Sequence, residues 1–189
     1  MEFRDLTAEE IEVRVQSIKV QKGKPAGIVL LLYKNARCDM NILDETAGAE
    51  NWEREHYECK GNLYCKVGIY CKQNSGAYGW VYKSDCGVES NTEAQKGEAS
   101  DSFKRACFNW GIGRELYTSP FIWISPDKCN IYDTGRKDRN GNPIFATNDR
   151  FAVEKIHIDN KQITAISIIN TSIKANDIKD KRCFVWQKQ

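Results

Sequence analysis

The chain has 189 residues, 41% of them hydrophobic and 29% charged, which is the balance of a folded globular domain and excludes a disordered chain. Its formal net charge is only +2, so bulk charge makes no case for nucleic acid and any such contact must rest on local clusters. The opening MEFRDLTAEE carries no export signal, and the longest apolar run, GIVLLLY at 27–33, is too short to cross a bilayer; a cytoplasmic protein with no membrane partner is expected.

In chain order, Thr7 and Glu10 form a capping box, and Ile11, Val15 and Ile18 extend it as a short amphipathic helix. QKGKPAG (21–27) breaks that helix, and IVLLLY (28–33) reads either as a buried strand or as a helix start. Asn35 caps a second helix with the stripe Ala36, Met40, Leu43 and Ala47, ended by Gly48. From Trp52 the period becomes two. In NLYCKVGIYCK (62–72), Leu63, Cys65, Val67, Ile69 and Cys71 make an apolar face, while Tyr64, Lys66, Tyr70 and Lys72 make the other. Segments 52–60 and 77–87 complete a three-stranded meander, with KQNSG as one hairpin connection.

A long helix follows from about Ser90 to Trp110, with a capping box at Ser90 and Glu93 and the stripe Ala99, Phe103, Ala106, Cys107 and Trp110. Gly111 and Gly113 end it. PFIWIS (120–125), FAVEKIHID (151–159), ITAISIIN (163–170) and RCFVWQ (182–187) read as further strands, with a tight turn at Asn160 and Lys161. The stretch 133–143, DTGRKDRNGNP, reads as a mobile polar loop.

Cysteines stand at 38, 59, 65, 71, 86, 107, 129 and 183, with no C-x-x-C pair and only two histidines. Zinc-site spacing is missing, so reduced thiols acting as small apolar filler are expected and no metal. The six-residue spacing of Cys59, Cys65 and Cys71 places them on one strand face.

Lys104 and Arg105 lie off the apolar stripe of the long helix, where a solvated surface is the ordinary fate. Phe108 also points away from the stripe, and an aromatic beside basic residues suggests a covered surface, here a subunit interface. The strand face of Tyr64, Lys66, Tyr70 and Lys72 interleaves rings and cations, the combination that tracks a single strand, though Tyr and Lys are also ordinary on exposed strands. Together these features suggest a nucleic-acid groove between sheet and helix.

The blocks LLLYKNARCDMNILDETAGAENW (30–52) and GEASDSFKRACFNWGIGRELYTSPFIWI (97–124) resemble the annealing domain of the Rad fifty-two-like superfamily, and in particular its phage branch. The likeness continues through the meander and more loosely through 151–170. It implies an α+β fold with a β-β-β-α core, N-terminal helices and a C-terminal β-hairpin extension. The whole of 1–189 is then a single annealing domain, with its core at about 28–125 and the β extension at about 126–189.

The resemblance further implies single-stranded DNA binding and annealing in phage recombination and double-strand-break repair, by a homo-oligomeric ring or filament. Its partners would be single-stranded DNA, further copies of itself, and possible host single-strand-binding protein and phage exonuclease. Lys104 and Arg105 fall on the family's basic pair, Arg37 on its groove arginine, and Lys72 near its second, outer DNA site. Lys66 and Arg114 join this DNA-contact set, with Tyr64 and Tyr70 as base contacts. No phosphate-binding loop of the G-x-x-x-x-G-K-[ST] type occurs, so neither ATP use nor any other cofactor is expected, and no catalytic residue is assigned.

Two other readings compete. Glu58 and Lys60, after Asp39 and Asp44, imitate a Mg²⁺-dependent nuclease core. A passive single-strand binder of the OB type would instead need a closed five-stranded barrel, which a long basic helix after a meander does not suit.

Overall fold

Strands outnumber helices in the computed structural model, which describes residues 1–88, 94–174 and 177–188. In chain order the elements are β1 (Glu12–Gln21), β2 (Lys24–Tyr33), α1 (Ala36–Ala47), β3 (Trp52–Cys59), β4 (Asn62–Lys72) and β5 (Tyr78–Cys86). Then come α2 (Ala94–Trp110), β6 (Ile122–Ile124), β7 (Tyr132–Lys137), β8 (Pro143–Ala146), β9 (Phe151–Asp159), β10 (Gln162–Asn170), α3 (Ile178–Lys181) and β11 (Arg182–Gln187). This is the expected α+β class, with antiparallel pairing between adjacent strands. The chain divides into two compact units, Met1–Asp5 with Lys34–Arg114, and Leu6–Tyr33 with Glu115–Gln189.

In the first unit, β3, β4 and β5 form the expected meander, in that order. Strict alternation in β4 sends Cys65, Val67 and Ile69 to one face, where all three are fully buried. That face meets Phe103, Ala106 and Cys107 of α2, also fully buried, so the unit is a sheet layer under a helix layer. Each such large apolar side chain contributes roughly 1.5–3 kcal/mol through burial. α1 lies against α2 and is fixed at its start by Asn35, whose side chain accepts from the amides of Arg37 and Cys38 at 2.9 and 3.1 Å. Asn51 closes its other end, its amide donating to Ala47 O at 3.0 Å, and Trp52 donates to Asp44 at 2.6 Å while stacking on Phe103.

β5 ends against α2 at Gly87. A Cβ there would lie 2.1 Å from Glu98 O and 2.8 Å from Ser102 N, both helix backbone atoms. Gly87→Ala is therefore expected to push α2 off the sheet and cost about 1–3 kcal/mol, read as a lower midpoint of thermal unfolding. An unchanged midpoint would mean that the helix can shift without loss.

In the second unit, a six-stranded sheet runs β11-β10-β9-β1-β2-β6, and β7 and β8 make a separate two-stranded hairpin. Ile28, Leu30, Ile122, Ile124, Ile163, Ile166 and Ile168 build its core. The turn at Asn160 and Lys161 has φ of 49° and 59°, the left-handed pair that a two-residue hairpin requires.

Four expectations are corrected. The helix over 11–18 is strand β1; its capping box is real but tops only a short 3₁₀ turn at Ala8–Glu10. A bulge between Val15 and Ser17 shifts the pairing with β2, so Ile11, Val15 and Ile18 fall at spacings that mimic a helix. The helix α1 stands, but its buried face is Cys38, Asp39, Ile42 and Leu43, because an acidic residue is taken inside. The loop at 133–143 belongs to the β7–β8 hairpin. Cys59 lies on β3, exposed, and not on the face of Cys65 and Cys71. The capping box at Ser90 and Glu93 lies outside the described residues.

Candidate nucleic-acid interface

The meander's second face is open, and register shows what collects there. β4 places Tyr64 opposite Tyr57, Lys66 opposite Glu55 and Ser84, Gly68 opposite Glu53 and Tyr82, Tyr70 opposite Trp80, and Lys72 opposite Tyr78. Six rings thus share one sheet face, in contact through Tyr57–Tyr64 (5.5 Å), Tyr70–Tyr78 (6.1 Å), Tyr70–Trp80 (5.7 Å) and Trp80–Tyr82 (6.1 Å) between centroids. Tyr57, Tyr70, Tyr78, Trp80 and Tyr82 are exposed, Tyr78 by 67%. Gly68 makes room for this arrangement, since a Cβ there would lie 2.4 Å from the Tyr82 ring.

Charge on this face is balanced. Lys66 pairs with Glu55 and lies 5.2 Å from the Tyr82 ring centroid, and the Tyr82 hydroxyl donates to Glu53 at 3.0 Å. Hydrogen bonding to Glu55 raises Lys66 above its ordinary pKa, and the bond to Glu53 raises Tyr82 in the same way. Lys72 is exposed at the hairpin end of β4. The face offers flat π surfaces with a few cations among them, which suits stacking more than phosphate neutralisation. Sequence reasoning found Tyr64 and Tyr70 but missed Tyr57, Tyr78, Trp80 and Tyr82; the i, i+2, i+4 spacing of Tyr78, Trp80 and Tyr82 carried the signal.

Lys104 and Arg105 lie on α2, which covers the other face of the sheet. The expected groove between the aromatic face and the basic helix therefore does not form within one unit: the two surfaces lie on opposite sides of a two-layer stack. Lys104 is half-buried and 3.9 Å from Asp101; Arg105 sits 3.4 Å from Asp85. Such partly exposed pairs are worth about 0–1 kcal/mol, so an incoming phosphate can replace the carboxylate at little cost. Arg37 is exposed in the first turn of α1. That turn abuts α2, because Asp39 feels the charge of Lys104 and the Lys34 ammonium lies 4.4 Å from the Phe108 ring centroid. Arg37, Lys104 and Arg105 thus come from adjoining elements.

Arg114 is exposed and also serves the fold. Its guanidinium donates to Phe108 O at 2.6 Å and Asn109 O at 2.8 Å, closing the last turn of α2. Phe108 is half-buried rather than exposed as expected, with Lys34 over its ring. The reason is the Lys34–Asp39 ion pair, buried at 1% and 0% side-chain exposure beneath it. Burial pushes the Asp39 carboxyl up to about 6, against a downward pull from Lys34 and, more weakly, from Lys104. Burial, then the Asp39 charge, pushes the neighbouring Cys107 thiol well above its ordinary range. Gly113, at φ 73°, leaves space for the lysine stem: a Cβ there would lie 2.4 Å from Lys34 Cε.

The residues of the competing nuclease reading do not converge. Asp39 is bound to Lys34, Asp44 accepts from Trp52, and Glu58 and Lys60 lie at the exposed β3–β4 end. Among the described residues no three His, Cys, Asp or Glu side chains group as metal ligands would, and no helix is long and apolar enough to cross a membrane. Nor does any hydrogen-bonded ladder close a barrel among the described strands, although β11 and β6, the outer strands of the six-stranded sheet, approach each other.

The family model of the Rad52/22 family double-strand break repair protein matches residues 4–128. The chain belongs to the Rad52/22 family, whose members act in DNA repair and recombination. No curated protein matches the chain.

Proposed function

We propose that this protein binds single-stranded DNA and anneals complementary strands without ATP, in phage recombination and double-strand-break repair in a bacterial cytoplasm. The observation that carries the reading is the exposed aromatic face of the meander, Tyr57, Tyr64, Tyr70, Tyr78, Trp80 and Tyr82 around Lys66 and Lys72. Base stacking on an exposed ring is worth about 1–3 kcal/mol and tolerates any sequence, as annealing of complementary strands of arbitrary sequence requires. Arg37, Lys104 and Arg105 supply a separate phosphate-contacting surface, and contacts to phosphate leave base edges free to pair. Arg114 supports that surface by holding the end of α2.

Because the two surfaces lie on opposite sides of the unit, one strand reaches both by rounding the sheet edge or by passing to a neighbouring copy. The second route goes with a homo-oligomer, ring or filament, in which both units serve one annealing domain and Phe108 lies beside the subunit contact. A host single-strand-binding protein and a phage exonuclease are the further partners of this reading.

The test mixes two labelled complementary oligonucleotides in chelator, with no nucleotide, and follows duplex formation with and without protein. Pairing is expected to accelerate, with light scattering reporting assembly on the DNA. Tight binding that slows pairing would leave a passive binder, and loss of end-labelled DNA on adding Mg²⁺ would restore the nuclease reading.

A further inference from the structure

The β7–β8 hairpin lies beyond the family match at 4–128, and none of the residues assigned to single-strand contact belongs to it. Its two strands pair only with each other, forming an arm apart from the six-stranded sheet. Every residue from Gly135 to Asn142 is exposed, and within this short span stand Arg136, Lys137 and Arg139.

The acids nearby do not neutralise them by direct pairing. Asp138 accepts from the amides of Asn140 and Asn142, both at 2.8 Å, and from the Asn142 side chain at 3.1 Å. Asp133 accepts from Gly135 N at 2.8 Å. Both carboxylates are thus engaged in shaping the arm, and among the described residues none forms an ion pair with Arg136, Lys137 or Arg139. Thr134 adds a bond from its hydroxyl to Ile144 O at 2.7 Å across the strands, fixing the arm below its tip. Gly135, at φ 72°, marks an irregularity where β7 carries extra residues against β8.

We infer that this arm binds double-stranded DNA, laying its basic tip in a groove against the phosphates of both strands. Two observations favour a duplex over a single strand, and a third is compatible with it. From Gly135 to Asn142 there is no aromatic ring, so the tip lacks the stacking platforms that hold unpaired bases and has only the arginine guanidiniums in their place. A two-stranded ribbon is an element that the major groove of B-form DNA admits. The exposed side chains it would carry there, arginine, lysine and asparagine, are those that bond to phosphates and base edges. The inference stands on the arm's own residues and rests on the annealing reading only for the source of the duplex, the product formed on the protein.

The test uses the full chain and the variant Arg136→Ala/Lys137→Ala/Arg139→Ala. Affinity is measured over a salt series for a DNA duplex, for one of its strands, and for an RNA duplex of the same sequence. For the DNA duplex the variant is expected to bind at least tenfold more weakly, with a salt slope shallower by up to about 2.7, for three lost phosphate contacts. Single-strand affinity is expected to stay within twofold. The RNA duplex, whose deep major groove is too narrow for a ribbon, should lose little. Arg136→Lys/Arg139→Lys should retain most duplex binding, which separates lost charge from lost folding.

Equal losses for duplex and single strand would overturn the inference, as would a parent with no duplex affinity or a variant unchanged on duplex. A parent that binds duplex through the arm yet fails to accelerate pairing would sink the annealing reading and leave the arm standing. A parent that accelerates pairing but binds duplex equally well without its arm cations does the reverse.

Discussion

Replacing Lys34 by methionine is expected to cost the fold about 3 kcal/mol at pH 8 and clearly less at pH 5. Lys34 and Asp39 are both buried, and removing one partner of such a pair strands the other charge. The pH dependence follows from the carboxyl. Asp39 titrates near 6 in the folded protein against an ordinary 3.8, so the folded state holds its proton more readily than the unfolded one. The stability linked to that proton is full below about pH 4 and is lost as pH rises through the folded value. Without Lys34 the main opposing charge is gone, the folded value climbs further, and the loss continues to higher pH. At pH 5 the carboxyl is mostly protonated in parent and variant alike, so their difference shrinks. Urea unfolding at the two pH values checks this, and an equal loss at both would show that Lys34 is not the counter-charge. Lys34→Met/Asp39→Leu, which removes both charges, should recover most of the stability.

The second large effect concerns the helix surface. Lys104→Ala/Arg105→Ala should weaken single-strand binding about tenfold or more and flatten its salt dependence by about 1.4, near 0.7 for each lost phosphate contact. Their pairs with Asp101 and Asp85 do not forbid this, since exposed ion pairs of this kind hold about 1 kcal/mol or less. Fluorescence anisotropy at several salt concentrations gives both quantities. Weaker binding at an unchanged slope would assign the two residues to folding; no change at all would leave them as solvated surface. Arg37→Ala should behave as a single lost contact.

What could be read from the sequence follows from how local its causes are. β4 was legible because its apolar face and its polar face alternate without interruption, and α1 because Asn35 and Gly48 mark both ends. β1 was not, because one bulge converts a period of two into a helical spacing. The arm at 132–146 was misread because side chains such as Thr134 and Asp138 supply much of its bonding, in place of a regular ladder. In the candidate interface, the basic pair on α2 and two of the six rings, Tyr64 and Tyr70, were visible in single segments. The full aromatic face was not, since it exists only once β3 and β5 are set in register against β4. Asp39 was hidden for another reason: a charged residue reads as surface until a buried Lys34 is placed beside it.

The way the chain threads its two units has a consequence for how the protein is made. β1 and β2 belong to the second unit, yet the ribosome delivers all of Lys34–Arg114 before their sheet partners β6 and β9. The first unit can close while translation continues, needing only Met1–Asp5 from behind it. The β1–β2 hairpin, meanwhile, stands with both outer strands unsatisfied and apolar residues such as Ile28 and Leu30 uncovered until Ile122–Ile124 emerges to seal one edge. The other edge stays open longer still, until Ala152 arrives opposite Glu12, so the nascent chain is most exposed to self-pairing before the first of these events and stays exposed along β1 until the second.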